Sequence, residues 1–184
     1  MADYKDVLLI NENVIKSITN ISENVNGGYI LPAIKLAQDI DLEETIGTQL
    51  KEALQQKVFN NEIGNEWNFQ YKTLLDDYIQ SYLTYATIVH LIPNIAFKIA
   101  NAGVLTTNDE KMNNVSPTEV DKVKWHYKHL ADVYKNRLQR FLVKNYSSYP
   151  ELQSYRSVQD IKANLISAAS CNIQLGGKRG KVLI

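Results

Sequence analysis

The sequence predicts an all-α fold: a helical bundle with two long antiparallel helices, short N-terminal helices and an extended C-terminal arm or small β-hairpin. Apolar residues recur every three or four positions over two long stretches, which is the period of a helix with one buried stripe. Hydrophobic residues make up 45% of the chain, and 4 Pro and 8 Gly in 184 residues exclude a disordered or collagen-like protein. This length suits one domain, which we divide into a helical part, residues 1–170, and a C-terminal arm, residues 171–184.

Two short amphipathic helices are expected before the first long one. They cover residues 29–38 (YILPAIKLAQ) and 42–59 (LEETIGTQLKEALQQKVF), and the turn-forming segment NVNGG precedes them. Each has one apolar face, so we expect both to pack on the longer helices.

The first long helix is predicted to begin at Trp67 and to end around residues 101–103, where Gly103 supplies a left-handed turn. At about 35 residues it exceeds the average helix threefold and should form a spine for the shorter helices. Pro93 lacks a backbone donor and clashes one turn back, which predicts a kink between Val89 and Pro93. The apolar stripe consists of Trp67, Tyr71, Leu74, Leu75, Tyr78, Tyr82, Ala86, Val89, Ile92, Ala96 and Ile99.

The second long helix is predicted to begin at Ser116-Pro117-Thr118-Glu119. Ser116 is a good N-cap, Pro117 occupies the first helical position, and Glu119 can reach back to the Ser116 amide to complete a capping box. The helix should end before Tyr146. Its predicted buried stripe consists of Val120, Val123, Tyr127, Leu130, Tyr134, Leu138, Phe141 and Leu142.

A polar link, LTTNDEKMNN at residues 105–114, joins the two long helices and predicts an antiparallel helical hairpin. The link is longer than a chain reversal needs, and long loops tend to be functional. We therefore take the start of this link as a candidate contact site, with the residues Leu105, Thr106, Thr107, Asn108, Asp109 and Glu110.

The C-terminal region changes character after Pro150. Residues 157–167 (SVQDIKANLIS) predict one more short helix, and the apolar stretches CNIQL and KVLI then flank GGKRG. This tail either forms an arm that orders on a partner or folds back on its own bundle, and the sequence leaves both open. The candidate residues of the arm are Ile173, Leu175, Lys178, Arg179, Lys181, Val182 and Leu183.

Charge is distributed unevenly, although 20 basic and 20 acidic residues cancel. Residues 1–66 hold 11 acidic and 5 basic side chains, residues 67–119 hold 5 and 3, and residues 120–184 hold 4 and 12, giving net charges of −6, −2 and +8. Such asymmetry indicates contact with nucleic acid or with a complementary charged surface. The alternative is that the two halves neutralise each other within one fold.

No set of residues predicts catalysis, a metal or a cofactor. His126, His129 and Asp132 share a helical face, but such residues on a lysine-rich surface are usually solvated rather than metal ligands. GGKRGK lacks the frame of a phosphate-binding loop, and Cys171, the single cysteine, has no partner for a disulfide. No apolar stretch reaches the roughly 20 residues that span a bilayer, and the acidic start MADYKD is unlike a signal peptide, so we expect a cytosolic, non-enzymatic protein without membrane contact.

Residues 21–54, with Ile34-x-x-Ala37-Gln38 and Ile46-Gly47-x-x-Leu50, resemble the opening of the helical head-to-tail connector, or adaptor, proteins of tailed bacteriophages. The layout that follows is similar too: a long helix, NAGV with a polar loop, a capped second long helix, and FLVKNYSSYPEL at residues 141–152. The resemblance covers about residues 7–152 and is closest to versions in phages of Bacteroides-type hosts, including the crAss-like group.

The resemblance implies a structural virion protein that forms a ring, usually of twelve copies, below the portal. Its partners would be its own copies, the portal protein and the next tail or neck protein, and its helices would surround the DNA channel, with non-specific contact to packaged DNA. It would be assembled in the host cytoplasm and reside in the virion neck. Such proteins extend loops or arms to grip their neighbours, and the basic residues Lys124, Lys128, Lys135 and Arg140 would form a subunit interface or channel face.

The rival interpretation is a cytosolic helical protein that binds nucleic acid or regulates another factor. It would use the basic residues of the second long helix, which are Lys122, Lys124, Lys128, Lys135, Arg137, Arg140 and Lys144. Salt-dependent duplex binding by a monomer would favour this rival.

Overall fold

The computed structural model describes residues 3–100, 103–106 and 116–153, and these confirm the all-α fold. One short antiparallel hairpin interrupts the helices, with β1 (Phe97–Ala100) paired to β2 (Gly103–Thr106). Two π-helical segments, Ala37–Leu42 and Leu75–Ile79, join α2 to α3 and α5 to α6. The helices are α1 (Glu12–Ile18), α2 (Gly27–Leu36), α3 (Glu43–Ile46), α4 (Thr48–Phe59), α5 (Phe69–Leu74), α6 (Gln80–Ala96) and α7 (Pro117–Lys144).

Two buried glutamines fasten the N-terminal segment to the bundle. Gln38 accepts a hydrogen bond from the Leu9 amide at 2.8 Å and donates to the Val7 carbonyl at 3.0 Å. Gln55 donates to the carbonyls of Lys5 and Val7, both at 2.9 Å. These side-chain bonds satisfy backbone groups at Lys5, Val7 and Leu9 and fix the short 3₁₀ turn, Tyr4–Asp6, to the bundle.

The two predicted short helices are confirmed, but the break between them was misplaced: the first continues past residue 38 to Ile46, and the second begins at Thr48 rather than at residue 42. The chain is helical from Gly27 to Ile46, with the π-helical segment in the middle, and α4 follows directly. Gly47 separates them at φ 82°, a left-handed conformation that glycine adopts without a steric penalty.

The first long helix differs from its prediction at both ends. Trp67 lies in a 3₁₀ turn (Glu66–Asn68) and is exposed, so it does not belong to the buried stripe. At the other end α6 stops at Ala96, and Ile99 lies in β1. Pro93, which lies inside α6, weakens the last turn because it has no N–H to donate, and the β-favouring residues that follow pair with β2 instead.

The capped start of the second long helix is confirmed. The Glu119 amide donates to Ser116 Oγ at 3.3 Å, and the Ser116 amide donates to Glu119 Oε2 at 2.9 Å, which is a complete capping box. These bonds favour the ionised carboxylate and lower the pKa of Glu119. Tyr78 pairs with Phe141 and Tyr85 with Tyr134, so residue numbers rise along one long helix as they fall along the other. The long helices are therefore antiparallel, as predicted.

The core lies around the first half of α6, between α2, α4 and the C-terminal half of α7. Its largest fully buried side chains include Ile15, Ile30, Ile34, Leu42, Ile46, Leu50, Leu54, Leu74, Ile79, Leu83, Leu91 and Tyr149. Tyr149 belongs to the segment after α7, and its hydroxyl donates to the Gln70 carbonyl at 2.9 Å. Burial raises the pKa of Tyr149 to about 12. The chain up to residue 152 is therefore part of the bundle, whereas the proposed boundary at residue 170 lies outside the described residues.

Candidate assembly surfaces

The distal half of the α6–α7 hairpin projects from the bundle. In α6 the last buried residue is Leu91, and in α7 the first is Ala131. Exposed apolar side chains occur in this half on both helices: Ile95 on α6, and Val123 and Trp125 on α7, with Trp125 70% exposed. Large apolar groups on a projecting element are typical of a surface that contacts another molecule.

The predicted buried stripe of α7 is therefore wrong in its N-terminal half. Val123 is 47% exposed, and Val120, Tyr127 and Leu130 are only partly buried. The register explains part of this: with Tyr85 opposite Tyr134, the last residue of α6, Ala96, lies level with residue 123, so the first turns of α7 extend past the end of α6.

The basic face predicted on α7 is two faces. Lys124, Lys128 and Lys135 are spaced by four and seven residues and share one side, but Arg140 lies about 140° around the helix from Lys135. Lys135 Nζ also lies 3.4 Å from Glu44 Oε2, so this lysine bridges to α3 rather than facing free solvent. Counting lysines along the sequence missed this division, which the helical period determines.

A different set of basic residues forms a continuous line along α7, which we call the basic stripe. Its members are three or four residues apart, every member is exposed, and it extends for about 33 Å at 1.5 Å per residue. The stripe contains no acidic residue and only one apolar one. Its members are Lys122, His126, His129, Val133, Arg137, Arg140 and Lys144.

An open groove of about 620 Å³, which we call the basic groove, lies where the C-terminal end of this stripe meets the second π-helical segment. The rings of Tyr78 and Phe141 stack 4.0 Å apart between centroids, and the Arg137 guanidinium lies 5.1 Å from the centre of the Tyr78 ring. No carboxylate among the described residues forms an ion pair with the groove's three cations. The lining residues are Tyr78, Val133, Arg137, Arg140, Phe141, Lys144 and Asn145.

The turn between α4 and α5 displays two exposed aromatic side chains, Trp67 at 77% and Phe69 at 69% exposure. Asn68, between them, is buried; its amide donates to the Glu62 carbonyl at 2.9 Å and its Oδ1 accepts from Lys57 Nζ at 3.1 Å. Residues 60–69, which we call the aromatic platform, thus present both rings from a hydrogen-bonded turn.

A polar network fixes the first π-helical segment to α6. The Asp41 carbonyl accepts from the hydroxyls of Thr45 at 2.6 Å and Tyr82 at 3.2 Å, and its carboxylate lies 2.6 Å from His90 Nε2. Burial raises the pKa of Tyr82. Both hydroxyls are bonded to a backbone carbonyl, so the arrangement holds two helices together and does not present an activated nucleophile.

Both histidines considered for metal binding lie against aromatic rings. The His129 ring stacks on Trp125 with centroids 5.9 Å apart, and the His126 ring lies against Tyr127. Over residues 3–100 and 116–153, no group of three or more His, Cys, Asp or Glu side chains could hold a metal ion. In the same part of the chain no helix combines the length and hydropathy needed to cross a membrane.

The predicted loop and arm residues are only partly located. Leu105 and Thr106 lie in β2, so placing them in the loop is wrong, because Lys98 pairs with Leu105 and Phe97 with Thr106. The other candidates lie outside the described residues, as does the predicted helix at residues 157–167. They are Thr107, Asn108, Asp109 and Glu110 of the loop, and Ile173, Leu175, Lys178, Arg179, Lys181, Val182 and Leu183 of the arm.

Comparison with known proteins matches one family, described as a family of unknown function (DUF6712), over residues 42–160. Neither the curated proteins nor the solved structures contain a match. The matched range begins at the end of the first π-helical segment and includes α3 to α7. It therefore contains the exposed apolar residues of the projecting hairpin, the basic stripe, the basic groove and the aromatic platform. Since it spans more than half of the chain, the protein belongs to the DUF6712 family.

Proposed function

We propose that this chain is a structural, non-enzymatic virion protein that assembles into an oligomeric ring of twelve copies below the portal of a tailed bacteriophage. The ring would join capsid to tail and surround the DNA channel in the virion neck, after assembly in the host cytoplasm. The observation that carries the proposal is the projecting half of the α6–α7 hairpin, which exposes Trp125 and Val123 and has no buried residue over its described helical parts, residues 92–96 and 117–130. Exposed apolar side chains on a projecting element are accounted for if another molecule covers them in an assembly.

Uneven charge supports self-assembly in a ring. In a head-to-tail arrangement each subunit presents two different surfaces to its two neighbours, and opposite charges select the correct pairing. The N-terminal third carries a net charge of −6, and the basic stripe lies on α7 in the basic C-terminal third. The stripe would face either a neighbouring subunit or the phosphates of packaged DNA.

The portal protein and the next tail or neck protein are the other partners in this proposal. The hairpin tip would contact the adjoining ring, and the C-terminal arm, which includes Ile173 and Leu175, would add to a neighbour's surface. The resemblance of residues 7–152 to head-to-tail connectors supports this assignment of partners.

Mass measurement of the purified chain tests the proposal. We expect native mass spectrometry or mass photometry to detect a closed oligomer, either for the chain alone or after addition of the portal protein. Cryo-electron microscopy of virion necks should then place the chain in a ring next to the portal. A chain that remains monomeric with the portal protein present, and that is missing from purified necks, contradicts the proposal.

The second candidate is a nucleic-acid-binding helical protein, and the basic stripe is the observation that favours it. Four permanent cations, Lys122, Arg137, Arg140 and Lys144, lie along one exposed line. A monomer that binds duplex DNA, with an affinity that falls steeply with salt, would support this function. Fluorescence anisotropy at two salt concentrations measures it, and Arg140→Glu should weaken binding if the stripe is the contact surface.

A further inference from the structure

We infer that the aromatic platform of one copy docks in the basic groove of a second copy. The inference deepens the proposed function, since it rests on self-assembly and names the surfaces that meet. This docking requires that each subunit carry two complementary surfaces, the platform and the groove, built from different residues.

The platform has the composition of an interface anchor. Trp67 and Phe69 are the two most exposed large aromatic residues of the bundle apart from Trp125, and Phe59 at the end of α4 is also exposed. Trp is strongly enriched among the residues that dominate binding energy, because its ring covers a large area at a small cost in conformational entropy. Two such rings side by side on one turn are a candidate anchor rather than scattered surface residues.

The turn that carries these rings is held in place before any partner arrives. Lys57 donates to Asn68 and also lies 4.4 Å from the centre of the Tyr71 ring. The Glu62 amide donates to the Lys57 carbonyl at 2.8 Å, and Asn61 adopts a positive φ of 56° to make the turn. A prepared turn loses little conformational entropy on binding, so more of the contact energy appears as affinity.

Charge specifies the partner surface. Between Lys57 and Lys72 the chain has no basic residue and two acidic ones, Glu62 and Glu66, and Glu66 is exposed. The platform is therefore acidic as well as aromatic. It requires a surface that offers both cations and apolar area.

The basic groove offers both. Arg137, Arg140 and Lys144 line it without an acidic partner in the described part of the chain, and the stacked Tyr78 and Phe141 rings form its apolar side. A groove of about 620 Å³ is within the size range that encloses drug-sized groups, so an indole ring and its neighbours fit. An arginine on the face of an indole adds a cation–π attraction that lysine-only surfaces provide less often.

The two surfaces do not satisfy each other within one copy. Trp67 and Phe69 remain exposed and the groove remains open in the folded chain. One copy can therefore use its platform on one neighbour and its groove on another. This is a heterologous contact, which produces a ring when the rotation between copies closes.

Two variants that each destroy one surface test the inference. The platform variant is Trp67→Ala with Phe69→Ala, and the groove variant is Arg137→Glu with Arg140→Glu. All four side chains are exposed, so helicity and melting temperature should match the wild type. We expect each variant alone to lose the oligomer seen for the wild type. Mixed in equal amounts, they should form a one-to-one dimer and nothing larger, because only one intact platform and one intact groove remain.

Matched controls separate this contact from general effects of charge and hydrophobicity. Lys35→Ala removes an exposed lysine of α2, outside the basic stripe, and Trp125→Ala removes an exposed Trp of the projecting hairpin, which the proposed function assigns to the adjoining ring; both should leave the contact between copies intact. Variants that assemble like the wild type, or a mixture that stays monomeric, overturn the inference.

The outcomes also separate this inference from the proposed function. Wild-type rings that neither variant disturbs would contradict docking in the groove and leave the ring proposal standing. Self-assembly that needs both surfaces, by a chain that is missing from virion necks, would support the docking and contradict the neck function. A wild type that stays monomeric both alone and with the portal protein would contradict both.

Discussion

Tyr85 stacks on Tyr134, with ring centroids 5.0 Å apart and ring planes 17° apart, and this pair joins α6 to α7. Seven residues earlier in the chain, Tyr78 stacks on Phe141, which lies seven residues after Tyr134. The two pairs therefore have the same register, and the step of seven is the repeat of antiparallel helices that pack with knobs in holes. The base of the hairpin is fixed by aromatic pairs at this spacing.

Removing one ring of the Tyr85–Tyr134 pair should lower the stability of the whole bundle. Aromatic-to-Ala changes in cores cost about 3–5 kcal/mol; because Tyr134 is only partly buried, we expect Tyr134→Ala to lower the free energy of unfolding by about 2 kcal/mol. Urea unfolding followed by circular dichroism measures the change. Tyr134→Phe keeps the ring and should be nearly neutral. A loss below about 0.5 kcal/mol in the Ala variant would show that the stack is not a stabilising contact.

The start of α7 should depend on its capping box. Ser116→Ala removes the side-chain acceptor of the Glu119 amide, which costs about 1 kcal/mol in a typical helix. Because the first turns of α7 project, we expect faster amide hydrogen exchange over the first turns of α7 with little change in the melting temperature of the bundle. Glu119→Gln keeps an acceptor for the Ser116 amide and is the control. Unchanged exchange in Ser116→Ala would contradict this local role.

Acid should remove a stabilising contribution from the pair formed by Glu43 and Lys51. The hydrogen bond from Lys51, whose side chain is mostly buried, lowers the pKa of Glu43 below its ordinary value of 4.5. A carboxylate with a lowered pKa stabilises the fold fully above the ordinary value, and the contribution disappears as the pH falls through the lowered one. Stability from this pair is thus fully present at pH 7 and is lost as the pH falls below 4.5 and through the lowered pKa.

Glu43→Gln tests that dependence. At neutral pH the variant should be less stable by about 1 kcal/mol, and the difference from the wild type should shrink when urea unfolding is repeated in acid. Glu12→Gln changes a carboxylate for which the described residues show no ion pair and is the control. A difference that stays constant with pH would exclude the ionised pair as its source.

The projecting apolar residues should matter for joining and not for folding. Replacing Val123 and Trp125 by Ser removes exposed apolar area that the bundle does not cover. We expect an unchanged melting temperature and a loss of binding to the portal or neck rings, measured by co-sedimentation. Lys124→Ala, on the neighbouring position, is the control. Normal joining by the double variant would argue against the hairpin as the contact element.

Truncation after Ser170 tests the predicted arm. If Ile173, Leu175 and the apolar C-terminal end order only on a neighbour, the shortened chain should keep the melting temperature of the full chain and fail to enter the neck. A clear fall in melting temperature would instead mean that the tail packs on its own bundle.

Sequence patterns predicted the features that depend on neighbouring residues in the chain. The Ser116 capping box is a local signal in which spacing and residue type suffice, and it was predicted at the correct residue. α1 was missed although Asn11 caps it, because seven residues with one buried side chain, Ile15, give almost no periodic signal.

Other features depend on tertiary contacts. The π-helical segment Leu75–Ile79 was not predicted, because nothing in the spacing of single residues specifies its wider turn. Trp67 fits the apolar period of the helix but lies in the turn before the helix begins. The buried Asn68 side chain donates to the Glu62 carbonyl and fixes this turn, in which the Trp67 ring is exposed. The basic groove arises only when Tyr78 and Arg137 come together across two helices, so charge counting along the chain could not find it.

The repeated register of the ring pairs has a consequence for how this fold can diverge. Because α6 buries no side chain after Leu91 and α7 none before Ala131, inserting seven residues in these parts of both helices leaves the Tyr85–Tyr134 and Tyr78–Phe141 pairs unchanged. Each step of seven moves the tip by about 10 Å and rotates it by only about 20° relative to the base. The reach of the hairpin can therefore evolve in discrete steps, independently of the stability of the bundle that supports it.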